Sequence, residues 1–281
     1  MNPFEAEIEA ASLLAQQLGP FARAILVDTA EGRFAVPIED MHVGLQLRQR
    51  GSYSSQERET LRQLCKPSSR VLIVGAHIGS LAIPLAKSCE SLTAIEANPG
   101  IFELLKLNLQ LNGLKNIRII QTAASDRHET ISFVLNRVNS GGSERMPTIK
   151  NPIYFHDNPE IINLSAAPLD DVLSDQSFEV ILMDIEGSEY PALKGMQRLL
   201  RDAVALQVEF IPHHLINVAN ISAADFLAPI QDHFTALVVP HRRLVTGRDQ
   251  FADVLGGMVA NNEASEGLLF LKADPSAISW A

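Results

Sequence analysis

Residues 70–98 read RVLIVGAHIGSLAIPLAKSCESLTAIEAN, and this stretch decides the fold. The apolar, β-branched run Val71–Val74 ends at Gly75, and a second glycine follows at Gly79. The segment after Gly79 has the composition of a helix, and a second apolar run (92–96) ends in one carboxylate, Glu96. Strand, glycine turn, helix, strand, acid is the order in which a parallel α/β sheet builds a nucleoside-binding crevice. Glycines let a ligand approach the backbone, the helix start offers free N–H groups, and the acid takes two ribose hydroxyls.

Outward from this core the rhythm continues. Strands are predicted at 70–74, 92–96, 117–122, 178–183 and 203–209, and helices at 79–88, 99–111, 189–200 and 222–232. Asn98-Pro99 is a helix start, with a cap followed by proline in the first turn, and Asn112-Gly113 ends the same helix. Strands separated by helices of this length need right-handed crossovers, which implies a mostly parallel sheet with helices on both faces. Segments 234–240 and 267–272 are expected to form a final antiparallel pair. Upstream, an amphipathic helix over 4–18, a hairpin of 24–28 with 33–38, and helices over 40–49 and 54–64 form an N-terminal extension, placed at residues 1–66, before a main domain at 67–281. The loop 136–158 is rich in Asn, Gly, Ser and Pro and too long for a simple connection; it is expected to be a mobile lid or a substrate loop.

The composition narrows the partners. In 281 residues, 23 Lys and Arg stand against 33 Asp and Glu, a net charge of −10, which argues against a polyphosphate partner. The one basic cluster, His241-Arg242-Arg243 with Arg248, is short and carries no interleaved aromatic residue. Cys65 and Cys89 have neither metal-ligand nor redox-pair spacing and read as free thiols. The acidic start Met1-Asn2-Pro3-Phe4-Glu5 lacks the layout of a signal peptide, and no uncharged stretch is long enough to span a membrane. The expectation is a cytoplasmic protein with no membrane or nucleic-acid partner, for which a homo-oligomer remains open.

The turn Gly75-Ala76-His77-Ile78-Gly79 is not the G-x-G-x-x-G that seats a dinucleotide pyrophosphate. S-adenosylmethionine carries no phosphate, so a looser turn suits it. Gly75, Ala76, His77 and Gly79 are the candidate contacts to its amino-acid end, Glu96 to its ribose, and Ala124 and Ser125 to its adenine.

Several segments together resemble one family. Gly51-Ser52-Tyr53, Val74-Gly75-Ala76-His77-Ile78-Gly79, Ala94-Ile95-Glu96-Ala97-Asn98-Pro99, Asn139-Ser140-Gly141-Gly142-Ser143, Leu169-Asp170-Asp171-Val172-Leu173 and Met183-Asp184-Ile185-Glu186-Gly187-Ser188-Glu189 follow one another as in the FkbM-type methyltransferases. The resemblance covers roughly residues 34–210. It implies a Rossmann-like class I methyltransferase fold with a seven-strand sheet, S-adenosylmethionine as cofactor, and O-methylation of a hydroxyl on a sugar, polyketide or related small metabolite. Two positions depart: Ile73 stands where the family usually has aspartate, and His77 where it has asparagine.

Methyl transfer from a sulfonium asks the protein for positioning and for removal of the acceptor's proton. Asp184 follows Val180–Met183 at the ligand edge of the sheet and is a candidate for both cofactor and acceptor contact. Glu209 ends the next strand, with Pro212-His213-His214 close behind. A carboxylate orienting a histidine is a plausible base, so Glu209 and His213 join Asp184 as catalytic candidates, with His214 as the alternative histidine. In an extended segment the two histidines would face opposite ways. Glu189 is expected to cap its helix rather than to act. Nothing in the spacing demands a metal ion, although Asp184, Glu209 and a histidine have suitable chemistry. The rival functions are a catalytically silent nucleoside-binding module of the same fold, or methylation of RNA or protein.

Overall fold

The structure, a computed structural model, describes residues 3–53 and 55–272. It opens with a helix (Pro3–Leu18), a hairpin of β1 (Ala24–Asp28) and β2 (Arg33–Pro37), and helices Val43–Arg50 and Ser55–Leu64. Ser54, expected to start the last of these, lies outside the described residues. Strands β3 (Arg70–Val74), β4 (Ser91–Glu96) and β5 (Ile117–Gln121) follow, separated by helices Ala82–Ala86 and Pro99–Asn112. A small sheet comes next, built from β6 (Ala123–Ala124), β7 (Glu129–Leu135), β8 (Glu144–Arg145) and β9 (Glu160–Ala167). Then come β10 (Val180–Met183), β11 (Ala205–Phe210), β12 (Ala236–Val239), β13 (Leu244–Gly247) and β14 (Ser265–Leu271).

The main sheet has eight strands in the order β13-β12-β14-β11-β10-β3-β4-β5. Five of them, β5, β4, β3, β10 and β11, run parallel. The other three join by antiparallel pairings, β14 on β11, β12 on β14 and β13 on β12, so β12 points the same way as the five and the expected seven strands are corrected to a mixed sheet of eight. The expected pairing of 234–240 with 267–272 is present as β12 on β14. The added edge strand, β13, is four residues long beside a run of basic residues and had no periodicity to reveal it.

Alternation along the central strands feeds two cores, as burial on both faces requires. Leu72, Val74, Ile181 and Met183 pack on one side, and Val71, Ile73, Val180 and Leu182 on the other. The N-terminal elements belong to the second core, where Phe34, Val36, Val43, Leu47 and Leu61 join Val71 and Ile73. Helix Pro99–Asn112 holds the hairpin by two amides one turn apart. Asn108 accepts from Ala35 N at 2.6 Å and donates to Ala35 O and Ile78 O, while Asn112 accepts from Arg33 N and donates to Arg33 O. The same helix is capped as read from sequence: Asn98 accepts from Gly100 N and Ile101 N, and Gly113 adopts the left-handed conformation at its end.

Two helices are shorter than expected. The one over 79–88 is confined to Ala82–Ala86: Gly79, at φ +89°, is outside helical geometry, and Pro84 falls in the first turn, where its missing N–H is tolerated. The one over 189–200 breaks into Glu189–Lys194 and Gln197–Asp202. At the break, a Cβ on Gly195 would lie 1.9 Å from Ser125 O, so the chain passes there only as glycine. Cys65 and Cys89 are free thiols, and burial raises them to about 12 and about 11.

Candidate functional site

Strand order reverses between β3 and β10, one chain proceeding to β4 and the other to β11, and a crevice opens at the carboxyl ends there. A cavity of about 460 Å³ occupies it. Gly75 leaves β3 with φ +91°, and a Cβ there would come within 1.8 Å of Asp184 O. Asp184 N in turn donates to Val74 O at 3.0 Å, so the ends of β3 and β10 are locked together at the cavity floor.

Glu96 reaches this cavity from β4. Its Oε2 accepts from His77 N at 2.8 Å and its Oε1 from Asn98 N at 2.7 Å. Each oxygen keeps a lone pair for a further donor. Burial raises its carboxyl to about 7 despite these N–H groups. His77 is non-glycine yet has φ 50°, which turns its imidazole into the cavity wall. There Nε2 lies 2.8 Å from Ser140 Oγ, and Ser140 Oγ also bonds Asp40 Oδ2. Burial pulls the His77 imidazole below its ordinary range.

Of the expected cofactor contacts, Gly75, Ala76, His77, Glu96, Ala124 and Asp184 line the cavity, and Gly79 and Ser125 do not. Gly79 faces Leu105 and Ile83, where a Cβ would sit 2.9 Å from Leu105; its glycine serves helix packing. Ser125 is fully buried just after β6, and its hydroxyl donates to Glu129 at 2.6 Å. Ile73 is buried in the apolar core below the turn.

At the other end, Glu209 is the last residue but one of the buried strand β11, and the chain turns helical at Pro212–His214. Because that segment is helical rather than extended, His213 and His214 both line the cavity, correcting the expectation that they diverge. His213 Nδ1 is 2.9 Å from the Tyr154 hydroxyl, which also donates to His213 O at 3.2 Å. Burial lowers the His213 imidazole. His214 lies between two acids, with Nδ1 3.4 Å from Glu209 Oε2 and Nε2 3.6 Å from Glu186 Oε2. Burial and the neighbouring carboxylates push Glu186 and Glu209 well above the usual carboxylate range, and burial pulls His214 down to about 3. Glu189, expected to cap its helix, instead accepts from Ile185 N at 2.9 Å, in the turn before that helix.

The loop 136–158 forms the cavity's outer wall and is tied to the body. Thr148 N and Ile149 N donate to Val218 O and Asn217 O, and Asp157 accepts from Arg137 N and Val138 N. It brings in Glu144, 1% exposed and raised by burial to about 9, and Tyr154, raised to about 12. Neither residue was in the candidate set. The alternation in 129–135, with Ile131 and Phe133 inward, was the available sign that this region is a sheet.

Six carboxylates line the cavity: Glu96, Glu144, Asp184, Glu186, Glu209 and Glu266. Among the described residues no Lys or Arg lines it. The basic cluster lies elsewhere and is engaged, with Arg242 and His241 on Glu263 and Arg248 donating to Phe234 O. No helix among the described residues is long and apolar enough to cross a membrane.

Residues 74–230 match the family model of the methyltransferase FkbM domain. No curated protein matches the chain. Similar solved structures include a TehB-like SAM-dependent methyltransferase from Corynebacterium glutamicum, at 14% identity and TM-score 0.44 over 82% of this chain and 94% of that one. An rRNA methylase from Streptococcus thermophilus is 11% identical, with TM-score 0.43 over 78% and 95%. Trm5b from Pyrococcus abyssi is 12% identical, with TM-score 0.42 over 76% of this chain; the chain spans 47% of that protein, about half its length.

Proposed function

The chain belongs to the FkbM methyltransferase family with S-adenosylmethionine as its cofactor, and from that membership we propose that it methylates a hydroxyl oxygen of a small, uncharged, polyhydroxylated acceptor such as a sugar or polyketide. The observation that carries the proposal is the makeup of the crevice: six acidic side chains with no Lys or Arg beside them. Such a wall offers a phosphodiester no cationic partner and offers the O–H groups of a polyol several acceptor oxygens. Methylation of RNA is disfavoured on the same ground.

The residues fit the cofactor. Glu96 is buried, faces the cavity, and is fixed by two backbone N–H groups with a lone pair left on each oxygen, which suits the two adjacent hydroxyls of a ribose. Gly75 and Ala76 would border the amino-acid end, and Ala124 the adenine. When bound, the cofactor supplies an electrophilic methyl, whose carbon–sulfur bond breaks as the carbon–oxygen bond forms, the electron pair staying on sulfur.

The protein's task is then to take the acceptor's proton. Burial and the acidic neighbours raise the Glu209 carboxyl well above the usual carboxylate range. Burial lowers the His213 imidazole, which favours its neutral form. With Tyr154 donating to the His213 carbonyl and accepting from Nδ1–H, the Nε2 lone pair is free to receive the proton. Asp184, at the end of β10 beside the glycine turn, would orient the acceptor. The proposal is tested by supplying radiolabelled S-adenosylmethionine with a panel of sugars and polyketides and, in parallel, tRNA and rRNA. Label in a neutral polyol supports it; label in RNA alone refutes it, and cofactor binding with no transfer to any acceptor favours the silent module.

A further inference from the structure

We propose that Glu186, Glu209 and His214 form a binding site for a divalent cation of the manganese or zinc type. Each of the three offers a ligand atom, and these atoms lie within 4.8 Å of one another. Donors around an ion with bonds of about 2.0–2.2 Å stand roughly 3.0–3.6 Å from their neighbours. The 3.4 Å between His214 Nδ1 and Glu209 Oε2 is of that size; Glu186 Oε2 lies 3.6 Å from the other ring nitrogen, Nε2, and completes the set within the 4.8 Å span.

A second observation points to a ligand. Glu209 Oε2 and His214 Nδ1 are buried, each in a side chain 6% exposed, and neither has a hydrogen-bond partner. They face one another at 3.4 Å without the alignment of a hydrogen bond. Two unsatisfied polar atoms side by side in a protein interior are costly unless something bridges them. A cation between them satisfies both lone pairs. The backbone agrees: Glu186 has φ 55° and Gly187 φ 92°, and these two left-handed residues bring the Glu186 side chain to the end of β11. Asp184, Glu144 and Glu266 line the same cavity, and among the described residues no Lys or Arg does.

Two carboxylates and one imidazole make a mixed donor set, suited to Mn²⁺ or Zn²⁺ rather than to an all-oxygen Ca²⁺ cage. Three protein ligands leave positions open toward the cavity. The inference deepens the hydroxyl-methylation proposal, on which the cation's purpose rests: it would hold the acceptor hydroxyl and lower its pKa beside His213. Binding itself depends on neither cofactor nor acceptor.

The test is a titration of the chelator-treated full chain with Mn²⁺, read by loss of the free-ion EPR signal, with no cofactor or acceptor present. One ion per chain is expected, displaced by Zn²⁺, with affinity reduced at least tenfold in Glu209→Gln and in His214→Gln and unchanged in the remote Glu263→Gln. Glu186→Gln, whose side chain is 21% exposed, is expected to keep its fold and to weaken binding likewise, so it decides the matter if the more buried variants do not fold. Absence of a stoichiometric site, or binding that all three substitutions leave intact, overturns the inference. Ion binding in a protein that transfers no methyl group supports the cation site while refuting the hydroxyl-methylation proposal; transfer undiminished in a chain that binds no ion does the reverse.

Discussion

The carboxylate of Glu96 accepts the backbone N–H of His77 at 2.8 Å, tying the end of β4 to the glycine turn after β3. The acid proposed to hold the ribose is thus part of the turn proposed to hold the rest of the cofactor, and neither moves without the other.

Replacing Glu96 by alanine is therefore expected to weaken S-adenosylmethionine binding by about 1.5–3 kcal/mol, the worth of hydrogen bonds to a charged acceptor. Isothermal titration of the folded variant measures this directly. Affinity equal to that of the parent protein would rule out the ribose contact.

Cofactor affinity should also rise with pH. Glu96 titrates at about 7 in the free protein, and the ionised form is the better acceptor for two hydroxyl donors. Binding is expected to strengthen between pH 6 and 8, and the slope attributable to Glu96 to vanish in Glu96→Gln. A parent profile that is flat or falls over this range contradicts the assignment.

The free protein's stability should run the other way. Glu96 and Glu144 are raised by burial from an ordinary 4.5 to about 7 and about 9. The folded chain binds these protons more tightly than the unfolded chain, so the stability they contribute is complete below about pH 4.5. It is lost as pH rises through 7 for Glu96 and through 9 for Glu144. Thermal melts between pH 5 and 9 should show Glu144→Gln losing part of the decline above pH 7; a variant that follows the parent curve throughout would count against a buried, protonated Glu144.

Gly75→Ala is expected to cost about 2–4 kcal/mol of stability, since alanine would meet Asp184 O at 1.8 Å in a backbone conformation of φ +91°. Denaturant midpoints decide this. Gly113→Ala is the control for the left-handed strain alone, having φ +63° and nothing within 4 Å of its Cβ. Equal losses in the two would mean that the contact with Asp184 contributes nothing.

His213→Gln should lower kcat by about 10²–10⁴ if the imidazole takes the acceptor's proton, with little change in cofactor affinity. Tyr154→Phe removes the hydroxyl that selects the His213 tautomer, and is expected to lower kcat less and to shift its pH profile. Steady-state kinetics over pH, on whichever acceptor the labelling experiment identifies, distinguish the two. An unchanged kcat in His213→Gln would move the base elsewhere in the crevice.

Sequence alone determined the parts of this protein whose causes are local. The run Val71–Val74, the turn Gly75–Gly79, the Asn98-Pro99 cap and Glu96 at a strand end each lie within a few residues of the partners that give them meaning. From them followed the parallel centre of the sheet, the position of the crevice and the family. Helix lengths failed where a distant backbone intervened, as at Gly195 against Ser125. Gly79 and Ser125 fitted the pattern of a cofactor site, but what the Gly79 backbone and the Ser125 hydroxyl face depends on distant partners, here Leu105 and Glu129.

Only the tertiary structure decided which side chains meet. Asp40 and Ser140 are 100 positions apart, and Tyr154 and His213 are 59 apart. Glu186, Glu209 and His214 converge because β10 and β11 are neighbours and because two left-handed residues turn the chain between them. Burial then raised Glu96, Glu144, Glu186 and Glu209 and lowered His213 and His214, an effect that exists only when the chain has excluded water from around them. Backbone preference is a property of neighbouring residues and is written along the chain; desolvation and the meeting of charges are properties of the enclosed volume, and arise when that volume forms.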